Sequence, residues 1–169
     1  MKHKKVCRRM ETALIVRSLK TEDAAALSSL LRAQSLTYMR FFTPFSFDQE
    51  TMASLLATRR KDVFMGIYWQ NELCGFFMLR GWDEGFDVPA YGVLIAEKCS
   101  GYSLAQLSIR MAKSICKLRG SSRLMLKVHT DNVAARILYE EAKFVRTGVD
   151  TNSGNLIYQF DFNKRPALS

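Results

Sequence analysis

The chain has 169 residues, of which 48% are hydrophobic and 24% charged, and a formal net charge of +9. That size suits one domain around one core, and the composition excludes a low-complexity, collagenous or membrane-embedded chain. The charge favours anionic partners, yet Lys2, Lys4, Lys5, Arg8 and Arg9 carry five of its units, and without them the balance is an unremarkable +4.

Residues 1–12 therefore read as a basic, disordered extension, 13–163 as the single domain and 164–169 as a tail. Nucleic-acid binding through the extension is not its expected role, since basic and aromatic residues are not interleaved there. No apolar run resembles a secretory signal or approaches the ~20 residues of a membrane span, so a cytoplasmic location without membrane contact is expected. Cys7, Cys74, Cys99 and Cys116 are too widely spaced for a zinc site and have no supporting His pair. They read as reduced thiols, and no metal is expected.

In chain order, Ala13 to Leu19 reads as a strand. Thr21 then caps a helix running to about Ala33, with Glu22 and Asp23 in its first turn. Gln34 to Phe47 is an aromatic-rich connection that either packs over the core or walls an acceptor pocket. Ser46 and Gln49 make a capping box for a helix over Asp48 to Thr58. Val63 to Trp69 and Leu73 to Arg80 form a hairpin. Val88 to Ala96 is a further strand, beyond a polar turn over Gly81 to Asp87. Leu104, Leu107, Met111, Ile115 and Leu118 then recur at steps of three and four, an amphipathic helix closed by Gly120. Leu124, Leu126 and Val128 alternate with Met125, Lys127 and His129 in a strand, and Asp131 or Thr130 caps a helix to about Ala142. Phe144 to Thr147 and Leu156 to Phe162 close the chain as strands around a turn at Thr151 to Gly154. The order β-α-α-β-β-β-α-β-α-β-β predicts an α/β (α+β) layer built on a mixed sheet.

Two units carry chemistry. The loop Ser100-Gly101-Tyr102-Ser103-Leu104-Ala105 leads into a helix N-terminus. Small residues there admit a close ligand, and the free N–H groups of the first turn can bind phosphate oxygens. In the second unit Asn132, Ala135 and Tyr139 are spaced by three and four, on one helix face, where Asn and Tyr either contact a ligand or serve as a cap and a half-buried ring.

In this order the two units resemble the GCN5-related N-acetyltransferase (GNAT) superfamily, over roughly Leu14 to Phe162. The segment Asn132-Val133-Ala134-Ala135-Arg136-Ile137-Leu138-Tyr139-Glu140-Glu141-Ala142-Lys143-Phe144 follows the family pattern Asn-x-x-Ala-x-x-Leu-Tyr-x-x-x-Gly-Phe, except that Lys143 stands in place of Gly. The family's acyl-CoA loop, Gln/Arg-x-x-Gly-x-Gly/Ala, falls on Ser100 to Ala105. Ser100 and Ser103 depart from it and Ala105 conforms. The resemblance implies a mixed, mostly antiparallel seven-stranded twisted sheet flanked by about four helices. It implies acetyl-CoA as acyl donor: the pantetheine arm along Val93, Leu94 and Ile95, and the pyrophosphate on Gly101, Tyr102, Ser103, Leu104, Ala105 and Gln106, with Asn132 and Tyr139 beside it. Tyr139 takes the place of the acid that protonates the departing thiolate. For the base, Glu84 and Asp83 rank first, with Tyr91 another candidate, and Trp82 is either acceptor-pocket lining or a packed hairpin ring. His129 reads as structural. The resemblance implies an amine acceptor; the aromatic connection and the short 83–87 turn suggest a closed pocket more than a peptide groove, so a primary amine of a small molecule is expected, an amino sugar among the options. Homodimer formation is a family habit. The alternatives are a protein N-terminal or lysine acetyltransferase and a non-catalytic acyl-CoA-binding module.

Overall fold

A computed structural model describes residues 13–163. The basic extension, Cys7 and the C-terminal tail lie outside the described residues. Seven strands, β1 (Leu14–Ser18), β2 (Val63–Trp69), β3 (Glu72–Arg80), β4 (Ala90–Ile95), β5 (Arg123–Val128), β6 (Val145–Val149) and β7 (Leu156–Asp161), form one sheet. Its order is β1-β2-β3-β4-β5-β7-β6, antiparallel except for the β4–β5 contact. Among the described residues, five α-helices accompany it: α1 (Ala24–Arg32), α2 (Leu36–Met39), α3 (Gln49–Thr58), α4 (Leu104–Leu118) and α5 (Val133–Glu141). None of these is long and apolar enough to cross a membrane. The seven strands match the sequence expectation. The fifth helix is the short α2, which Ser35 starts by accepting the Tyr38 N–H at 3.2 Å inside the expected connection.

Strand alternation divides the interior into two cores. Phe77, Tyr91, Leu124, Leu126 and Val128 face α4 and α5, where Ile109, Ala112, Cys116 and Tyr139 meet them. Phe64, Phe76, Met78 and Leu94 face the opposite side, against Leu27, Leu31, Met52 and Leu56 of α1 and α3. β3 lies centrally and is buried on both faces from Leu73 to Leu79. Gly75 sits there because a Cβ would meet the Leu94 carbonyl oxygen at 2.7 Å. The β2–β3 turn is a two-residue one, with Gln70 and Asn71 both at positive φ (51° and 66°), as the right-handed strand twist favours.

Three predicted caps change hands. Lys20, not Thr21, precedes the first helical turn, and Asp23 accepts its N–H at 2.8 Å. Asp48 accepts the Thr51 N–H at 2.8 Å, while the Ser46 hydroxyl donates to Asp48. Asn132, not Asp131 or Thr130, caps α5 by accepting the Ala135 N–H at 3.3 Å.

Asp23 also receives both Arg17 guanidinium nitrogens at 2.8 Å and the Tyr68 hydroxyl at 3.2 Å. Arg17's hydrogen bonds hold its pKa down to about 2. The folded pKa is below the ordinary 3.8, so the ionised carboxylate stabilises the fold above pH ~4. That contribution disappears as pH falls through about 2. Asp23→Asn is expected to lower stability by about 1–3 kcal/mol near neutral pH. In urea titrations the gap to wild type should close between pH ~4 and ~2.

α5 ends with Lys143 at φ 66°, the left-handed position where the family pattern has Gly. The Phe144 N–H reaches back to the Tyr139 carbonyl at 2.9 Å, closing a Schellman-type cap. Lys143→Gly removes the Cβ penalty at an exposed site and is expected to raise stability by roughly 1 kcal/mol, read as a higher denaturation midpoint.

Candidate active site

β4 and β5 run parallel but share a single bridge, Ala90 opposite Met125, with the Met125 N–H on the Pro89 carbonyl at 3.0 Å. Beyond it the strands separate. On the other edge of β4, the Ala96 N–H bonds the Cys74 carbonyl at 2.7 Å, and the register runs Phe76 to Leu94 and Phe77 to Val93. Hydrogen-bonded pairs alternate in an antiparallel ladder, so even-numbered β4 residues bond to β3 and odd-numbered ones turn toward the split. Leu94's backbone is thereby committed to β3. The Ile95 carbonyl accepts the Tyr38 hydroxyl at 2.8 Å. Of the three residues expected to pair with a pantetheine arm, Val93 alone presents both backbone groups to the split.

The split is part of a cleft of about 860 Å³. Its floor on one side is the start of α4. Among the described residues no acceptor is found for the N–H groups of Gly101 through Gln106, and the Leu107 N–H is the first to bond back, to the Ser103 carbonyl at 3.0 Å. Gly101 (φ 84°) and Ser103 (φ 58°) both take left-handed backbone, which curls the loop so that these donors converge. Ser103 thus occupies the conformation for which the family pattern uses glycine. Ser100, Gly101, Ser103, Leu104, Ala105 and Gln106 line the cleft; the Tyr102 side chain is 76% exposed outside it. Ser108 fixes this turn to the sheet. Its hydroxyl donates to the Ala105 carbonyl at 2.7 Å and so accepts from the Tyr91 hydroxyl at 2.6 Å. That bond, and burial that pushes its pKa well up, make Tyr91 an anchor instead of the base considered for it.

The other side of the split is α5. Tyr139 lies against Tyr91 (ring centroids 6.3 Å apart, 90°) and Phe144 (6.0 Å, 62°), and its side chain borders the cleft. Burial pushes its pKa up to about 12. Its hydroxyl makes no hydrogen bond to the described residues, so it remains a protonated donor at the split. Asn132 also borders the cleft, with its side-chain oxygen spent on the α5 cap.

The 34–47 connection does both things its sequence allowed. Phe42 packs edge-on against Phe76 (6.0 Å), and Phe45 and Phe47 join the same core. Tyr38, Arg40, Phe41 and Pro44 border the cleft. Phe41 stacks on His129 at 4.7 Å, which brings a residue read as structural to the cleft wall.

The carboxylates expected to supply the base lie elsewhere. Asp83 accepts the Arg60 and Lys61 N–H groups at 2.9 and 2.6 Å, tying the start of β2 to the β3–β4 turn, and these bonds lower its pKa. Glu84 pairs with Arg80 at 4.0 Å in the same turn. Trp82 takes the Arg119 guanidinium over its ring at 4.5 Å. None of the three borders the cleft; the carboxylate that does is Glu97, alone among the described residues. It follows β4 directly, where Gln34 accepts its N–H at 2.7 Å. Its place two residues past the strand end was the available sequence signal.

A sequence model of the acetyltransferase (GNAT) family matches residues 29–144. No match among curated proteins accompanies it. Among solved structures, PaiA N-acetyltransferase from Thermoplasma acidophilum in complex with coenzyme A superposes with a TM-score of 0.75 at 16% identity, covering 89% of this chain and 99% of that one. RimL, the ribosomal L7/L12 alpha-N-protein acetyltransferase, in complex with coenzyme A gives 0.74 at 17% identity, covering 90% and 96%. Mycobacterium smegmatis RimJ in complex with CoA-disulfide gives 0.72 at 16% identity, covering 87% and 81%. With the family match spanning most of the chain, over a sheet split between β4 and β5, the chain belongs to the acetyltransferase (GNAT) family and is an N-acetyltransferase.

Proposed function

We propose that the protein transfers the acetyl group of acetyl-CoA to a primary amine of a small molecule by direct attack on the thioester. The observation that carries this reading is the unpartnered, protonated Tyr139 hydroxyl beside the split, opposite the six free N–H groups that open α4. The α4 donors and the positive end of its dipole suit the pyrophosphate. Val93 suits one amide of the pantetheine arm. These residues fit coenzyme A, which supplies the activated acyl group when bound.

The amine nitrogen attacks the carbonyl carbon, the C–S bond breaks, and the amide forms as the nitrogen loses a proton. Tyr139 is suited to give its proton to the departing thiolate. Glu97 is suited to take the proton from the amine. His129 is not, in its neutral form: its Nδ1 accepts the Asp131 N–H at 3.2 Å, which leaves Nε2 protonated. A small acceptor is favoured because the 34–47 connection roofs the cleft and is pinned to β4 through Tyr38. The α-amine of a protein is the second reading, favoured by the likeness in fold to RimL, a ribosomal L7/L12 alpha-N-protein acetyltransferase.

Tyr139→Phe is expected to lower kcat by about a hundredfold or more while the KM for acetyl-CoA changes little. Unchanged kcat in a thiol-release assay would remove Tyr139 from the chemistry. Because burial holds Tyr139 near 12, wild-type activity should show no loss as pH rises from about 8 to about 10; a falling limb there would contradict its role as the acid.

Glu97→Gln should lower kcat at least tenfold, whereas Glu84→Gln, remote from the cleft, should stay within about twofold of wild type. The reverse pattern in parallel assays would restore the β3–β4 turn as the source of the base.

A further inference from the structure

We infer that the acceptor is a primary amine that also carries an oxyanion, a carboxylate or a phosphate, and that Arg40 binds that group; this rests on the acetyl-transfer reading of the same cleft. The cleft passes through the sheet. Leu124, Leu126 and Val128 point toward α4 and α5, so Lys127 and His129 point to the opposite face. That is the face of α1 and α3, where the 34–47 connection lies. The α4 donors that suit the cofactor's phosphates are on the other face.

Charge on this second face is uneven in a way that specifies a ligand. The Lys127 ammonium is neutralised by Asp150 at 2.9 Å. Arg40 and Glu97 both border the cleft, and neither has an ion-pair partner among the described residues. Among the described residues the Glu97 carboxylate accepts only the Ser35 N–H, at 3.4 Å on Oε2, so its charge is not neutralised. One cationic and one anionic pole, neither paired with an opposite charge among the described residues, complement a molecule with an amine at one end and an anion at the other. The Arg40 guanidinium is also held in place: it lies 4.4 Å from the Phe41 ring centre, and Phe41 is stacked on His129. A guanidinium lying over a ring keeps its edge donors for a planar or tetrahedral oxyanion, which it binds through two parallel hydrogen bonds. Arg40 can therefore select the acceptor, and Glu97 attracts the amine.

The test uses matched amines that differ in the anion: glucosamine 6-phosphate against glucosamine, and L-leucine against L-leucinamide, each with acetyl-CoA and the full chain. The expected result is at least a tenfold higher kcat/KM for the anionic member of one pair. The preference should fall to a ratio near one in Arg40→Ala and be partly restored in Arg40→Lys. Equal or reversed preference in wild type would overturn the inference. So would a tenfold rise in the KM for acetyl-CoA in Arg40→Ala with the preference intact, because Arg40 would then serve a cofactor phosphate. If none of the four amines is acetylated, the reading of small-amine transfer fails for them, and Arg40 is judged by calorimetry on the coenzyme-A-saturated protein. Tighter binding of the anionic member that is lost in Arg40→Ala supports the inference; equal binding, or none, contradicts it.

Discussion

Pairing between β4 and β5 stops after one bridge, at Ala90 and Met125, and the proposed chemistry depends on the backbone left open beyond it. A strand edge inside a sheet normally satisfies every N–H and C=O, and leaving them unpaired is costly unless a ligand or water takes them. Here the flanking ladders are complete: β3 pairs with β4 from Gly75 to Arg80, and β5 pairs with β7 over six positions. Each half-sheet is thus held by its own ladder on the side away from the split. Tyr38 occupies one of the open carbonyls, at Ile95, and uses it to fasten the roof of the cleft.

The start of α4 must then be aimed at this opening. Three features do so together. Gly101 and Ser103 take left-handed backbone, so the loop turns tightly. Ser108, fully buried, joins the first turn of α4 to Tyr91 on β4. Leu104, Ile109 and Ala112 pack the helix onto the sheet below. A helix so placed brings its free donors and positive dipole end to one side of the cleft, while Tyr139 on α5 borders the other.

Much of this was legible in the sequence. The 3.6-residue period of α4 and the two-residue period of β5 are strong because each element buries one face. The α5 segment, Asn132 to Phe144, carries Tyr139, which borders the cleft. Ser103 departs from the glycine of the family pattern, yet its backbone adopts the left-handed conformation, and the free donors of the loop belong to the backbone, not the side chain. What the sequence hid were contacts between distant segments. Glu97, Arg40 and His129 are separated by up to 89 positions and border one cleft because the 34–47 connection folds back over the end of β4. Asp83 and Glu84 stand near the central strands in sequence, but Asp83 meets the backbone of residues 60 and 61 and Glu84 stays by Arg80, away from the split.

The central claim is that coenzyme A binds with its pyrophosphate on the backbone donors of residues 101–106. Calorimetric titration of acetyl-CoA into wild type and into Ser103→Glu tests it most directly, because a carboxylate in that loop repels phosphate. The account predicts binding to wild type that weakens at least tenfold, about 1.4 kcal/mol, in the variant. No binding to wild type at millimolar acetyl-CoA, or equal binding to both proteins, would contradict it.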